Sequence, residues 1–205
     1  MTNQTRKQHH IVYIPGLGDT KTRGQRLAVR LWRTYGVYGH CHPVIWNSAE
    51  SFDKKLKDLL SEIDELLAKG YVVSLMGASA GASMALHAYA ERKQDMIGVA
   101  LVCGELAEAK TINASYFEGN PAFQTSMERL PKTLASLSFD DRQRIISIHP
   151  LYDETVPVAD TRLDGARMRT VMSFGHATTI GFVLTMDAYV PLWFLERWAR
   201  RRATL

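Results

Sequence analysis

The chain alternates short apolar runs with longer amphipathic stretches, and this alternation limits the folds that it can adopt. The apolar runs are rich in Val and Ile, and most of them end at Gly or Pro, which is typical of buried strands. They are residues 10–16, 44–47, 71–77, 96–104, 144–150 and 168–175. Because strands that alternate with helices form right-handed βαβ units, we expect an α/β protein with a mostly parallel sheet of about six strands and helices on both faces.

The stretches between the strands space their apolar residues at three and four, which is the helical period. Residues 22–36, 48–70 and 79–93 are therefore predicted to be helices. Ser48 or Ser51 is a suitable N-cap for the second helix. In parallel sheets of this kind, ligands bind beyond the carboxyl ends of the strands. The residues that follow the strands are thus the candidates for a functional site.

Composition predicts a single domain that spans residues 1–205, with residues 1–9 as a flexible tail. A chain of 205 residues that is 46% hydrophobic can bury one substantial core. The net charge of +4 is spread along the sequence, so we expect no nucleic-acid partner. No apolar stretch has the length of a secretory signal or a membrane span, and Cys41 and Cys103 are expected to be reduced. A cytoplasmic location is the resulting prediction.

Two weaker patterns also have ordinary structural explanations. Residues 190–202 contain two Trp and several Arg, which would suit a membrane surface, but a terminal helix that covers the sheet has the same pattern. His40 and His42 share one face of a short extended stretch, a spacing that can bind metal. No third ligand is evident, so we expect solvent-facing histidines and no metal.

The pentapeptide Gly-Ala-Ser-Ala-Gly at residues 77–81 lies where a predicted strand ends and a predicted helix begins. This is the context of a nucleophilic serine on a sharp strand-to-helix turn, where side chains two residues before and two residues after would collide with neighbouring backbone. Close packing of a helix on a strand would also explain small residues here. The pattern nevertheless predicts Ser79 as a nucleophile.

A serine hydroxyl needs a base and an acid that orients the base, and on this architecture they follow the serine in the order acid, then histidine. The histidines before Ser79 do not satisfy that order, and His87 lies eight residues along the same predicted helix, about 12 Å away. His149 falls inside a predicted strand. His176, directly after the last strand, is the predicted base, with Asp153 as the acid and Glu154 as the alternative.

An acyl-transfer site also needs donors for the oxyanion that forms on the carbonyl oxygen. The backbone N–H of Ala80, at the start of the predicted helix, is one candidate. The second is the N–H of Leu17, in a loop after the first strand where Gly16 and Gly18 allow the chain to turn. A plain tight turn is the alternative explanation for those glycines.

These residues together resemble the α/β-hydrolases, and the resemblance spans nearly the whole chain. "GASAG" is similar to the nucleophile elbow, "YDETVP" to the acid loop and "GHAT" to the histidine loop of that family. "GLGDT" resembles the oxyanion loop of the carboxylesterase and acyl-protein thioesterase branch, and Gly16 is expected to contact substrate there. The resemblance implies a three-layer α/β-hydrolase fold without a large cap. We expect no room before residue 10 for the first two strands of the family, and hence a six-stranded core.

The expected function is that of a serine hydrolase that cleaves a carboxylic ester or thioester through an acyl-enzyme, without a cofactor. Acyl transfer to another acceptor or amide cleavage would use the same residues. A binding protein that kept the fold without the activity is the alternative of a different class. The expected partner is a small acyl ester or thioester, while the oligomeric state is left open.

The segment at residues 105–141 is longer than an ordinary connection and leaves a strand on the side of the predicted site. In the resembling family a lid that shapes the acyl pocket is inserted at this point. Tyr116, Phe117 and Phe123 lie in it among polar neighbours, and Phe117 and Phe123 are predicted to contact the acyl group. The alternative is an ordinary crossover helix.

Overall fold

Six parallel strands form one sheet in the computed structural model, which describes residues 7–106 and 112–202. Their order across the sheet is β2-β1-β3-β4-β5-β6, and every neighbouring pair is parallel. The predicted sheet of about six parallel strands is thus confirmed. The strands are β1 (His9–Ile14), β2 (Tyr38–Cys41), β3 (Val72–Ala78), β4 (Val99–Val102), β5 (Ile145–His149) and β6 (Arg167–Thr170).

Seven α-helices surround the sheet within the described part of the chain. Two hydrophobic clusters separate them into two layers: α2, α3 and α4 contribute to one cluster, and α1, α6 and α7 to the other. The sheet lies between the clusters because its strands bury side chains on both faces. The helices are α1 (Arg23–Leu31), α2 (Phe52–Ala68), α3 (Ala80–Arg92), α4 (Pro121–Ala135), α5 (Phe139–Gln143), α6 (His176–Leu184) and α7 (Tyr189–Arg202).

The predicted strand at residues 44–47 is wrong, since the second strand is β2 at Tyr38–Cys41. Ile45 has a φ of 54°, in the left-handed region that a β-branched residue rarely adopts and that no strand tolerates. The Ile45 N–H donates to Asp19 Oδ2 over 2.6 Å, and the Ser48 N–H donates to the Ile45 carbonyl. The loop buries Val44 and Trp46 in the core, which explains why these residues have the apolar pattern of a strand.

The segment at residues 105–141 contains a helix that crosses from β4 towards β5. That helix, α4, packs its buried residues Met127 and Leu130 into the same cluster as α3. The part of the predicted lid at residues 107–111 lies outside the described residues. Likewise, residues 1–6 of the predicted tail lie outside them, and His9 already belongs to β1.

The last helix covers the sheet, which is the second of the two explanations given above for residues 190–202. Leu192 and Leu195 of α7 are buried in the cluster of α1 and α6, while Trp193 is exposed. Among the described residues no single helix combines the length and the apolar character that crossing a membrane requires; α6 and α7 meet the test only as a pair, with a bend of 54° between them.

Candidate active site

Ser79 is the residue between the end of β3 and the first residue of α3. Its φ of 52° and ψ of −125° are strained for a residue with a side chain, and such backbones are typical of functional turns. A Cβ on Gly77 would lie 2.3 Å from the Gly81 carbonyl oxygen, and one on Gly81 would lie 2.1 Å from the Ile14 carbonyl oxygen. Both glycines are therefore required for the turn to pack against β1 and α3.

The loop after β1 passes directly over this serine. A Cβ on Gly16 would lie 2.7 Å from Ser79 Cβ and 3.2 Å from Ser79 Oγ, so only a glycine leaves space beside the hydroxyl. Leu17 and Ala80, the predicted oxyanion donors, line the same cavity as Ser79. The fold thus brings the loop after β1 and the turn before α3 together, as expected. The role of the Leu17 and Ala80 N–H groups as donors stays a prediction.

His176 and Asp153 form a buried hydrogen-bonded pair. His176 Nδ1 lies 2.9 Å from Asp153 Oδ2 and 3.1 Å from Oδ1. Asp153 Oδ1 also accepts from the N–H groups of Thr155 and Val156, both at 2.9 Å, which fixes the carboxylate in its loop. A carboxylate held in this way favours the tautomer with the proton on Nδ1, and this leaves His176 Nε2 as the acceptor.

Glu154, the alternative acid, contacts the backbone of His176 rather than its ring. Its two carboxylate oxygens lie 3.2 and 3.0 Å from the His176 N–H at the start of α6. A negative charge at a helix N-terminus stabilises the helix, because it pairs with N–H groups that have no partner within the helix. The geometry therefore favours Asp153 over Glu154 as the residue that orients the imidazole.

Ser79 and His176 line one cavity, which brings the predicted nucleophile and base to the same edge of the sheet. Within the described residues, the His176 ring bonds to Asp153, and no hydrogen bond joins it to the Ser79 hydroxyl. Catalytic hydrogen bonds are commonly long without substrate and tighten when it binds. The arrangement is that of a serine, a histidine and an aspartate that converge from three loops.

Cys103, which was expected only to be a reduced thiol, is a neighbour of this pair. It directly follows β4, is fully buried and has a φ of 49°. Its Sγ, a carboxylate oxygen of Asp153 and a ring nitrogen of His176 lie within 4.8 Å of one another. Burial, and then the negative charge of the Asp153 carboxylate, raise the pKa of the Cys103 thiol. A thiol that keeps its proton can donate to a nearby carboxylate and is a poor metal ligand. The only signal in the sequence for a role of Cys103 at the site was its position near the end of a predicted strand.

The cavity beside Ser79 has a volume of about 570 Å³ and two apolar sides. On one side, Ile112 and Tyr116 come from the segment between β4 and α4, and Phe123 comes from the first turn of α4. Phe123, predicted to contact the acyl group, belongs to this wall and packs edge-on against Trp46. Phe117 is set further back among the described residues, where its ring lies 5.5 Å from that of Phe123 and supports it from behind. The opposite side of the cavity comes from β1, α1 and α6.

His40 and His42, the candidate metal ligands, point to different partners. His40 Nε2 lies 2.7 Å from His10 Nδ1, and His42 Nδ1 lies 2.7 Å from Glu62 Oε2. In residues 7–106 and 112–202, neither belongs to a cluster of three groups that could hold a metal ion. The two side chains instead tie β2 to its neighbours.

Solved structures of other proteins share this architecture over nearly the whole chain. Est1E from Butyrivibrio proteoclasticus matches with a TM-score of 0.66 at 15% identity, over 98% of this chain and 91% of that one. The esterase domain of a Rhodothermus marinus protein matches with a TM-score of 0.67 at 15% identity, over 95% and 89%. The product of the ydeN gene from B. subtilis matches with a TM-score of 0.64 at 15% identity, over 93% and 100%.

The chain has the α/β-hydrolase fold. By sequence, no family model and no curated protein matches it. The fold therefore rests on the likeness of the structures, and the carboxylesterase and acyl-protein thioesterase branch suggested by "GLGDT" stays a prediction. In this α/β-hydrolase fold, β3 and α3 carry the serine, the loop after β5 carries the acid, and α6 begins with the histidine.

Proposed function

We propose that this protein is a serine hydrolase that cleaves carboxylic esters through an acyl-enzyme. The observation that carries the proposal is the buried pair of His176 and Asp153 at the wall of the cavity that also contains Ser79 on its strained turn. A histidine oriented by a buried carboxylate beside a serine on such a turn is the recurring arrangement of acyl-transfer enzymes. Esterases among the proteins of similar structure add support.

The proposed reaction has two steps. Ser79 Oγ attacks the ester carbonyl while His176 Nε2 takes the serine proton, and the imidazolium that forms is stabilised by Asp153. The N–H groups of Ala80 and Leu17 are the proposed donors to the oxyanion. His176 then gives the proton to the leaving alcohol. In the second step, water attacks the acyl-enzyme by the same route and releases the acid.

The acyl group is proposed to occupy the side of the cavity with Phe123 and Tyr116. Tyr116 lies in the segment between β4 and α4 and is partly exposed, while Phe123 lies in the first turn of α4 and is buried. Residues 112–123 are therefore the proposed determinant of acyl length. Thioester cleavage would follow the same steps, with a thiolate as the leaving group. A cytoplasmic location stays a prediction.

The test combines a panel of acyl esters and thioesters of graded length with a fluorophosphonate probe, which reacts quickly only with activated serines. We expect ester hydrolysis and a single labelled residue, Ser79. The neighbouring Ser83 is the internal control, because it lies one turn along α3 and donates to the Ala80 carbonyl. A folded protein that hydrolyses no member of the panel and takes no label would instead be a binding protein on this fold.

A further inference from the structure

Two buried polar atoms without a hydrogen-bond partner belong to residues that line the cavity beside Ser79. They are the hydroxyl of Tyr13 and the side-chain oxygen Oε1 of Gln25. Tyr13 lies on β1 and is fully buried, and Gln25 lies in the first turn of α1. Within the described residues, only one other buried side-chain polar atom, on Arg142, is unpaired. The concentration of two such atoms at one cavity indicates a function there.

Leaving a buried polar group unpaired costs about 1–3 kcal/mol each. Natural proteins rarely accept that cost without a reason, which is commonly a ligand or an ordered water. Burial raises the pKa of the Tyr13 phenol, so the hydroxyl keeps its proton and can donate it. Gln25 Oε1 can only accept. Together the two groups offer one donor and one acceptor.

The rest of this side of the cavity is apolar. The helix α6 begins with His176 and presents Ile180 and Leu184 on the same face in its following turns. These side chains pack in the cluster that also contains Tyr13. A substrate chain that leaves Ser79 along α6 would therefore contact these apolar side chains on the side of the cavity to which Tyr13 and Gln25 also belong.

We propose that this side of the cavity, lined by Tyr13 and Gln25, binds a hydroxyl group of the substrate. A hydroxyl can accept from the Tyr13 O–H and donate to Gln25 Oε1, which an alkyl group cannot do and an ether or ketone does only in part. The preferred substrates are then esters that carry a hydroxyl group on the acyl or the alcohol portion. This inference rests on the proposed ester hydrolysis at Ser79.

The test uses pairs of esters in which a hydroxyl replaces a terminal methyl. On the acyl side the pair is nitrophenyl ω-hydroxyhexanoate and nitrophenyl heptanoate, and on the alcohol side it is ω-hydroxybutyl butyrate and pentyl butyrate, each extended to several chain lengths. We expect the hydroxyl member of at least one pair to have a kcat/KM about ten- to a hundredfold higher, as a buried hydrogen bond to each group would give.

The variants Tyr13→Phe and Gln25→Leu should each reduce that ratio towards one. Because the ratio is measured within one enzyme preparation, it does not depend on the overall activity of the variant. Tyr116→Phe is the matched control, since it removes a hydroxyl from the opposite side of the same cavity and should keep the ratio. A ratio that falls equally in all three variants would overturn the proposal.

Stability separates this role from a structural one. Tyr13→Phe removes a hydroxyl that has no partner in the folded protein, so the thermal midpoint should stay the same or rise. A clear fall would show that the hydroxyl stabilises the fold, and the proposal would fail. Equal rates for both members of every pair would overturn this inference alone, whereas absence of hydrolysis for all esters would overturn the proposed function as well.

Discussion

The molecule contains two arrangements of serine, histidine and carboxylate, at opposite ends of the sheet. At the carboxyl end, Ser79 faces a cavity with His176 and Asp153. At the amino end, Ser74 Oγ lies 2.8 Å from His9 Nε2, and His9 Nδ1 lies 2.9 Å from Glu196 Oε2. The second set has both hydrogen bonds, from serine to histidine and from histidine to carboxylate, whereas the first set has the bond between histidine and carboxylate alone.

The difference between the two sets is backbone geometry and access. Ser74 lies inside the first half of β3, without exposed surface. Its bond to His9, which in turn bonds to Glu196, connects β3, β1 and α7. Ser79 occupies a left-handed turn at the end of the same strand and is half-exposed beside the cavity. A nucleophile needs space for a substrate carbonyl, so a hydrogen-bonded trio inside the core serves only stability.

The largest expected effect compares Ser79→Ala with Ser74→Ala. Loss of a catalytic serine lowers turnover by roughly a factor of 10⁴ to 10⁶, while Ser74→Ala should keep activity within about twofold and lower the free energy of unfolding by about 1–2 kcal/mol through the lost hydrogen bond to His9 Nε2. Ester hydrolysis, probe labelling and chemical denaturation measure these effects. Equal loss of activity in both folded variants would break the distinction.

The acids give the next largest contrast. Asp153→Asn should lower kcat by roughly 10³- to 10⁴-fold, because an amide at this position favours the wrong tautomer of His176. Glu154→Gln, which still contacts the His176 backbone, should lower kcat by less than about tenfold. Glu196→Gln is the control at the amino end and should affect denaturation rather than kcat. A fully active Asp153→Asn enzyme would transfer the orienting role to another group.

Cys103 gives a smaller effect that sharpens the description of the carboxyl end. Cys103→Ala removes the thiol beside Asp153, so we expect kcat to fall about two- to tenfold with KM unchanged, and Cys103→Ser to restore most of the loss because a hydroxyl at this position can also donate. The pH profile of kcat should move in Cys103→Ala and return in Cys103→Ser. Identical profiles in both variants would show that the thiol only fills space.

The smallest expected effect lies in the acid stability of the amino end. His10 stacks on Tyr38, His40 and Tyr71, and burial followed by the charge on His40 lowers the pKa of His10 to about 4. The unfolded chain therefore binds a proton that the folded protein refuses between about pH 6.5 and pH 4, so this group destabilises the fold as the pH falls through that window and has no effect above it.

His10→Phe keeps the stacking and removes both the titration and the hydrogen bond to His40. Between pH 7 and pH 4.5 the free energy of unfolding of this variant should fall less than that of the parent, by on the order of 1 kcal/mol. Its thermal midpoint should fall less as well. Activity at neutral pH is the control and should be unchanged. A parallel decline of both proteins with pH would place the acid-sensitive group elsewhere.

The sequence predicted the parallel sheet because buried strands and helices leave different periods in the order of apolar residues. It failed at residues 44–47, since a loop that buries Val44 and Trp46 has the same local composition as a strand. The positive φ of Ile45 and the hydrogen bond from its N–H to Asp19, far away in the chain, show the difference. Periodicity reports burial, and burial alone does not fix backbone conformation.

The sequence by itself was enough to predict that Ser79, Asp153 and His176 lie at one edge of the sheet. Each of them follows a strand, and the carboxyl ends of parallel strands lie at the same edge. The choice between Asp153 and Glu154 needed the tertiary structure, since both lie in one loop and differ only in which part of His176 they contact. The same holds for Cys103, Tyr13 and Gln25. Their roles depend on distances between elements far apart in sequence, and local patterns of residue type carry no record of those distances.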